Sequence, residues 1–155
     1  MPTYFFDSSA LIKRYLVESG STWVKAMCDP IAGHQILIAR ITYVELFSAL
    51  AKAHRQGIVN QGEMIQGASI VIRDIKHQYQ QVPLQRATYQ AAGRLILRHA
   101  AQGLRAYDAI QLACALAANR RLVRKTKFKL AFVTADATRR AIATGTGLVT
   151  IDPLN

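Results

Sequence analysis

Short apolar runs alternate along this chain with longer stretches in which apolar positions recur every three or four residues. The first pattern suits strands buried on both faces, and the second suits amphipathic helices. Thr3-Tyr-Phe-Phe6, Gln35-Ile-Leu-Ile-Ala39, Leu130-Ala-Phe-Val-Thr134 and Gly147-Leu-Val-Thr-Ile151 read as strands, and Gln81-Val-Pro-Leu84 as a short strand or turn. Helices are predicted from Ser8, over Ser21 to Met27, from Thr42 to near Gly57, over Gln61 to Gln80 and over Ala87 to Ala101. Another passes through Ala109, Leu112, Ala113 and Leu116, and Asp136 opens a last short one. Within the Thr42 helix, Tyr43, Leu46, Phe47 and Leu50 form one apolar stripe. Such alternation gives an α/β fold whose mostly parallel sheet is covered on both faces. No linker, repeat or low-complexity tract breaks the pattern, so residues 1–155 read as one domain.

In such sheets ligands bind beyond the carboxyl ends of the strands. Asp7 and Asp136 each follow a predicted strand end, which puts two carboxylates on one edge. Charge narrows the ligand. Twenty Lys and Arg face nine Asp and Glu, for a formal charge of +11. A field of that sign draws in polyanions, either nucleic acid or an acidic protein. The basic residues are not confined to one amphipathic helix, and no apolar run is long enough to cross a bilayer. The opening Met1-Pro-Thr-Tyr-Phe-Phe-Asp7 meets an acid too soon for a signal peptide, so a cytoplasmic protein is expected. Cys28 and Cys114 form no C-x-x-C pair and read as small buried hydrophobes. His34, His54, His77 and His99 lack metal-ligand spacing.

Against so basic a background each acid is informative. From residue 75 to residue 135 the only carboxylate is Asp108, among eleven Lys and Arg. Each acid has a local explanation. Asp108 could complement a helix dipole, and Asp7 and Asp136 could cap helices. Glu45 sits beside the apolar stripe of its helix, where a surface glutamate is also acceptable. Taken together the four are harder to explain, because carboxylates gathered on one edge repel unless a cation or proton offsets them. Mg²⁺ and Mn²⁺ are the hard cations that prefer oxygen donors. On this reading Asp108→Asn should stabilise the metal-free protein by relieving repulsion. An acidic metal pocket in a basic protein suits phosphodiester cleavage. A non-catalytic RNA-binding module would keep the basic surface but need no carboxylate cluster, whereas a DNA nuclease would share the phosphate chemistry.

The ordered set Phe6-Asp7-Ser-Ser-Ala-Leu11, Thr42-Tyr-Val-Glu45-Leu46, Tyr107-Asp108-Ala-Ile-Gln-Leu-Ala113 and Val133-Thr-Ala-Asp136 resembles the PIN-domain ribonucleases, especially the VapC-type toxins. The resemblance runs through nearly the whole chain. It implies a three-layer α/β/α sandwich and an acidic quartet of Asp7, Glu45, Asp108 and Asp136. Asp7 and Asp108 would be the principal ligands of Mg²⁺ or Mn²⁺, and Thr134 a supporting hydroxyl. It also implies endonucleolytic cleavage of RNA, a cognate antitoxin and a homodimer. One departure lies before the third acid. Many relatives have a small hydroxyl residue there, and this chain has Leu104-Arg-Ala-Tyr107. The departure touches the capping of that helix and leaves the carboxylate in place.

Arg120, Arg121, Arg124 and Lys125 open a basic run that continues to Lys127 and Lys129. A solvated charged face is the ordinary explanation. Its place between the Asp108 helix and the strand ending at Thr134 favours RNA contact. Gly145-Thr-Gly147 is too short for a phosphate loop and reads as a turn.

Overall fold

Phe5 and Phe6 are neighbours in sequence, both fully buried, and they belong to different hydrophobic cores. That is possible only in a strand covered on both faces, since successive side chains point to opposite sides. The computed structural model describes residues 1–155. Its strands are β1 (Thr3–Phe6), β2 (Gln35–Ala39), β3 (Tyr79–Val82), β4 (Ala131–Val133) and β5 (Val149–Ile151). All pair in parallel, in the order β3-β2-β1-β4-β5.

The helices are α1 (Ser8–Leu11), α2 (Ser21–Met27), α3 (Thr42–Arg55), α4 (Gln61–His77), α5 (Arg86–Arg98), α6 (Ala106–Thr126) and α7 (Ala137–Gly145). Leu11, Val24, Leu46, Leu50 and Val71 from α1 to α4 pack with Phe6 and Ile38 on one face. Ala92, Leu95, Leu112, Ala115 and Ile142 from α5 to α7 pack with Phe5, Leu37 and Phe132 on the other. This is the α/β/α sandwich, and its chain path has one consequence for function. After β1 the chain builds one side of the sheet, β2 then β3, and returns to build β4 and β5 on the other. The carboxyl ends of β1 and β4 therefore flank the point where strand order reverses, where such sheets form a crevice.

Several element ends differ from the sequence reading. The helix predicted to Gln80 stops at His77, and β3 begins at Tyr79. Tyr79 is buried in the core and pairs with Ile36, so tertiary packing overrides helical spacing. Pro83 follows β3, and without an N–H it cannot extend the ladder. The helix predicted to Ala101 ends at Arg98, and a single 3₁₀ turn over Ala100–Gln102 follows it. The largest difference is in α6. It continues through Arg120, Arg121, Arg124 and Lys125 to Thr126, closing at Lys127 with φ of 65°. Tyr43 leaves its expected stripe: it is 40% exposed and packs edge-on against Phe47. Cys28 and Cys114 are buried free thiols, each pushed up to about 12 by burial.

Candidate active site

Asp7 leaves β1 with its backbone N–H donating to Val133 O at 3.1 Å, which ties it to the end of β4. It also caps α1. Its Oδ1 accepts from Ala10 N at 3.0 Å and from Ser9 Oγ at 2.7 Å. Capping and site roles are thus not alternatives. The cap fixes one oxygen and leaves Oδ2 aimed away from the helix. Asp136 repeats the device after β4, capping α7 through Oδ1 and the Arg139 N–H at 2.7 Å. Ser9 Oγ accepts from Ala135 N at 3.1 Å and lies 3.4 Å from Thr134 Oγ1, which accepts from Asp136 N at 3.2 Å. These hydroxyls latch the loop after β1 to the loop after β4, and so set Asp7 against Asp136.

The other two acids come from opposite helical layers. Glu45 lies in the first turn of α3 and Asp108 in the first turn of α6. Arg105 holds the N-cap position of α6 and makes no side-chain capping bond, as expected from the missing hydroxyl residue. Gln111, one turn beyond Asp108, is fully buried. It donates to Glu45 Oε2 and to Thr42 Oγ1, bridging α6 to α3 over the edge of the sheet. Burial raises the pKa of Glu45, against the hydrogen bond from Gln111 and the charge of Arg139. Burial likewise raises Asp108, with Asp136 and Asp7 pushing in the same direction.

The structure sets Asp7, Asp108 and Asp136 around a cation that nothing local in the sequence marks, with Glu45 near enough to feel its charge. Arg139, on the first turn of α7, is only 7% exposed. Its Nη1 donates to Asp7 Oδ2 and its Nη2 to Asp108 Oδ1. The charges of Asp7, Asp108 and Asp136 hold the guanidinium protonated despite its burial. With Arg139 between them, no three acids come close enough together to share one ion. Asp7 and Asp108 instead pair with a cation of the chain's own. Stabilisation by Asp108→Asn loses its basis, since Arg139 already offsets the repulsion that the change would relieve. In the sequence Arg139 is one of twenty basic residues, and only its spacing of three from Asp136 hints at a shared turn.

The donor set still fits a hard divalent cation. All four acids offer oxygen, no nitrogen or sulfur ligand is near, and an existing cation already holds together two of the carboxylates. Beside Arg139 lies a cavity of about 340 Å³ lined by Gln102, Arg105, Asp108, Asp136 and Thr138.

Arg120, Arg121, Arg124 and Lys125 do not join this site. They sit on the far half of α6, and the twelve residues from Asp108 to Arg120 correspond to about 18 Å of helix. The three arginines nevertheless line cavities that lead towards it. Arg120, Arg121 and Arg124 line a groove of about 710 Å³ against α5. Arg120 also lines a neighbouring cavity with Arg98 and Gln102, and Gln102 reaches the cavity at Asp108. Lys125 lines none of these cavities.

A doubly covered parallel sheet with acids from both layers at its switch point defines the class. The PIN domain model matches residues 4–137, and the chain belongs to that family. It is 35% identical over 117 residues to Ribonuclease VapC45 of Mycobacterium tuberculosis (strain CDC 1551 / Oshkosh), covering 76% of this chain and 77% of that protein. In fold it is similar to VapBC2 from Rickettsia felis, solved bound to a DNA fragment from their promoter, with a TM-score of 0.63 and 14% identity over 97% of this chain and 98% of that one. FitAB bound to the IR36 DNA fragment gives a TM-score of 0.68 and 11% identity over 98% and 96%.

Proposed function

We propose that this chain is a divalent-metal-dependent endoribonuclease and the toxin half of a type II toxin–antitoxin pair. The observation that carries this reading is the pairing of Asp7 and Asp108 through Arg139, with Asp136 and Glu45 close by, at the switch point of a chain bearing +11. The likeness to Ribonuclease VapC45 supports RNA as the substrate. Asp7 and Asp108 would hold Mg²⁺, or Mn²⁺, with Glu45 and Asp136 completing the site. The ion supplies a Lewis acid for charge building on a phosphate. The chain's own residues prepare the rest. Caps and hydroxyls, Thr134 among them, fix Asp7 and Asp136, while Gln111 orients Glu45. Its burial moves Glu45 towards the range in which a carboxylate can carry a proton. Cleavage of RNA by the purified protein should vanish in EDTA and return with Mg²⁺ or Mn²⁺. Full activity in EDTA would overturn the metal mechanism.

The succession of cavities from Arg124 to Asp108 supports a path for the RNA backbone, with Arg120, Arg121 and Arg124 as phosphate contacts. Replacing these three with Gln should weaken RNA binding and flatten its salt dependence by about 0.7 log units per lost contact. Lys125→Gln, outside the groove, should do much less. An unchanged slope in the triple variant would make the run a solvated face.

The whole chain, 1–155, would act as one nuclease domain in the cytoplasm, as a homodimer with its antitoxin. Exposed Tyr43 and Val44 on α3, with Ile65 and Ile72 on α4, offer apolar surface that a protein partner would cover. No helix is long and apolar enough to cross a membrane.

A further inference from the structure

Arg139 is a poor fit for a merely structural ion pair. Its main chain is fixed, because the Asp136 carboxylate holds its backbone N–H. Its side chain is buried and bridges two acids, yet its Nε is enclosed without any hydrogen-bond partner. A guanidinium has five donors, and leaving one unpaired in the interior is unfavourable. The arrangement persists because the alternative is a cluster of unpaired carboxylates. The oxygens it occupies, Asp7 Oδ2 and Asp108 Oδ1, belong to the two acids best placed to ligate a metal. The cavity beside it, about 340 Å³ and lined by Gln102, Arg105, Thr138 and the acids Asp108 and Asp136, has room for the side chain once displaced.

We propose that Arg139 is the resident counter-cation of the acidic centre, and that a divalent cation binds by exchanging with its guanidinium, which swings into the adjacent cavity. This rests on the metal-dependent reading above and adds a competition within the chain. A divalent ion between Asp7 and Asp108 would take the place of the guanidinium and be repelled by its charge, so the free energy of the arginine pairing is subtracted from that of metal binding. The apo site is thereby held in a single form whose negative charge is partly offset. Occupancy becomes a function of metal concentration. Displaced into the cavity, the guanidinium would stand beside Arg105, adding a second positive charge where a phosphate approaches.

The test needs no RNA. Titration of Mn²⁺ into the apo protein, followed by calorimetry, should give at least tenfold tighter binding for Arg139→Gln than for wild type. Arg139→Lys keeps a charge but cannot bridge both acids, and should fall between them. Equal or weaker binding by Arg139→Gln would overturn the exchange and make Arg139 a supporting residue of the metal site. No binding by either protein would overturn the metal reading itself and this proposal with it. Wild type gives an independent measurement that survives any folding failure of the variants. The Arg139 Nε–H should be slow to exchange with solvent in the apo protein, and its NMR signal should move to the position of an exposed arginine as Mg²⁺ is added. A signal unmoved at saturating Mg²⁺ would overturn the proposal.

Discussion

Asp7→Asn is expected to lower RNA cleavage by about 100-fold or more while leaving the protein folded. A ligand carboxylate lost from a metal centre removes several kcal/mol of transition-state stabilisation, and each 1.36 kcal/mol is a factor of ten. Asparagine is a fair probe because it keeps the shape. Its side-chain oxygen can still accept from Ala10 N and Ser9 Oγ, so the cap on α1 survives. What it loses is the charge that Oδ2 presents to Arg139 or to a metal. Arg139 would retain Asp108 as a partner, so a modest loss of stability should accompany the loss of activity. Melting curves separate the two effects. In a cell, inducing wild type should arrest bacterial growth, and Asp7→Asn at equal expression should not. Equal cleavage by both proteins would show that Asp7 does no more than cap its helix.

The four acids were legible because the chain is basic: a carboxylate is conspicuous when almost every neighbour is Lys or Arg. Their convergence was partly legible too, since strand ends in an alternating α/β chain lie on one edge. Arg139 was not, for the same reason in reverse. Among twenty basic residues nothing local marks the one that turns inward. Gln111 escaped notice because a glutamine in an alanine-rich helix suits a surface as well as it suits a bridge. The basic run is legible as a run, but its distance from Asp108 is not. Periodicity through Leu116 gave no reason to end α6 there or to extend it, and the ten further helical residues to Thr126 carry Arg120, Arg121, Arg124 and Lys125 onto the far half of the helix. In β3 the buried Tyr79 and Val82 flank the exposed Gln80 and Gln81, so no strand alternation stands out against the helical pattern before it. That strand exists because β2 supplies a partner edge, which no local signal records.

The largest expected loss of stability lies at a fifth acid, far from the site. Asp74→Ala should cost about 3–5 kcal/mol, the usual consequence of removing one member of a buried ion pair. Asp74 is completely buried near the end of α4. Its Oδ2 accepts from Arg14 Nε at 2.7 Å and from Tyr15 OH at 3.1 Å. Its Oδ1 accepts from Arg73 Nε at 3.0 Å and Nη2 at 2.8 Å. Of the two arginines, Arg73 is more than half exposed and can return to water, but Arg14 cannot: its side chain is 13% exposed. Without Asp74, Arg14 keeps only Gln78, and Tyr15 keeps only the hydroxyl of Tyr79. Burial already raises the pKa of Tyr15, so its hydroxyl stays a donor and needs an acceptor. Asp74→Asn retains an acceptor oxygen while removing the charge, and should cost less, about 1–3 kcal/mol. The network joins α1's exit, α4 and the amino end of β3, the edge of the sheet opposite Asp7. The fraction of Asp74→Asn that folds should therefore bind Mn²⁺ and cleave RNA as wild type does. Urea melts measure the first effect and metal titration the second. A melting midpoint for Asp74→Ala within error of wild type would mean that Arg14 finds water or another partner at no cost. A weakened Mn²⁺ affinity at full folding would instead tie this network to the site across the sheet.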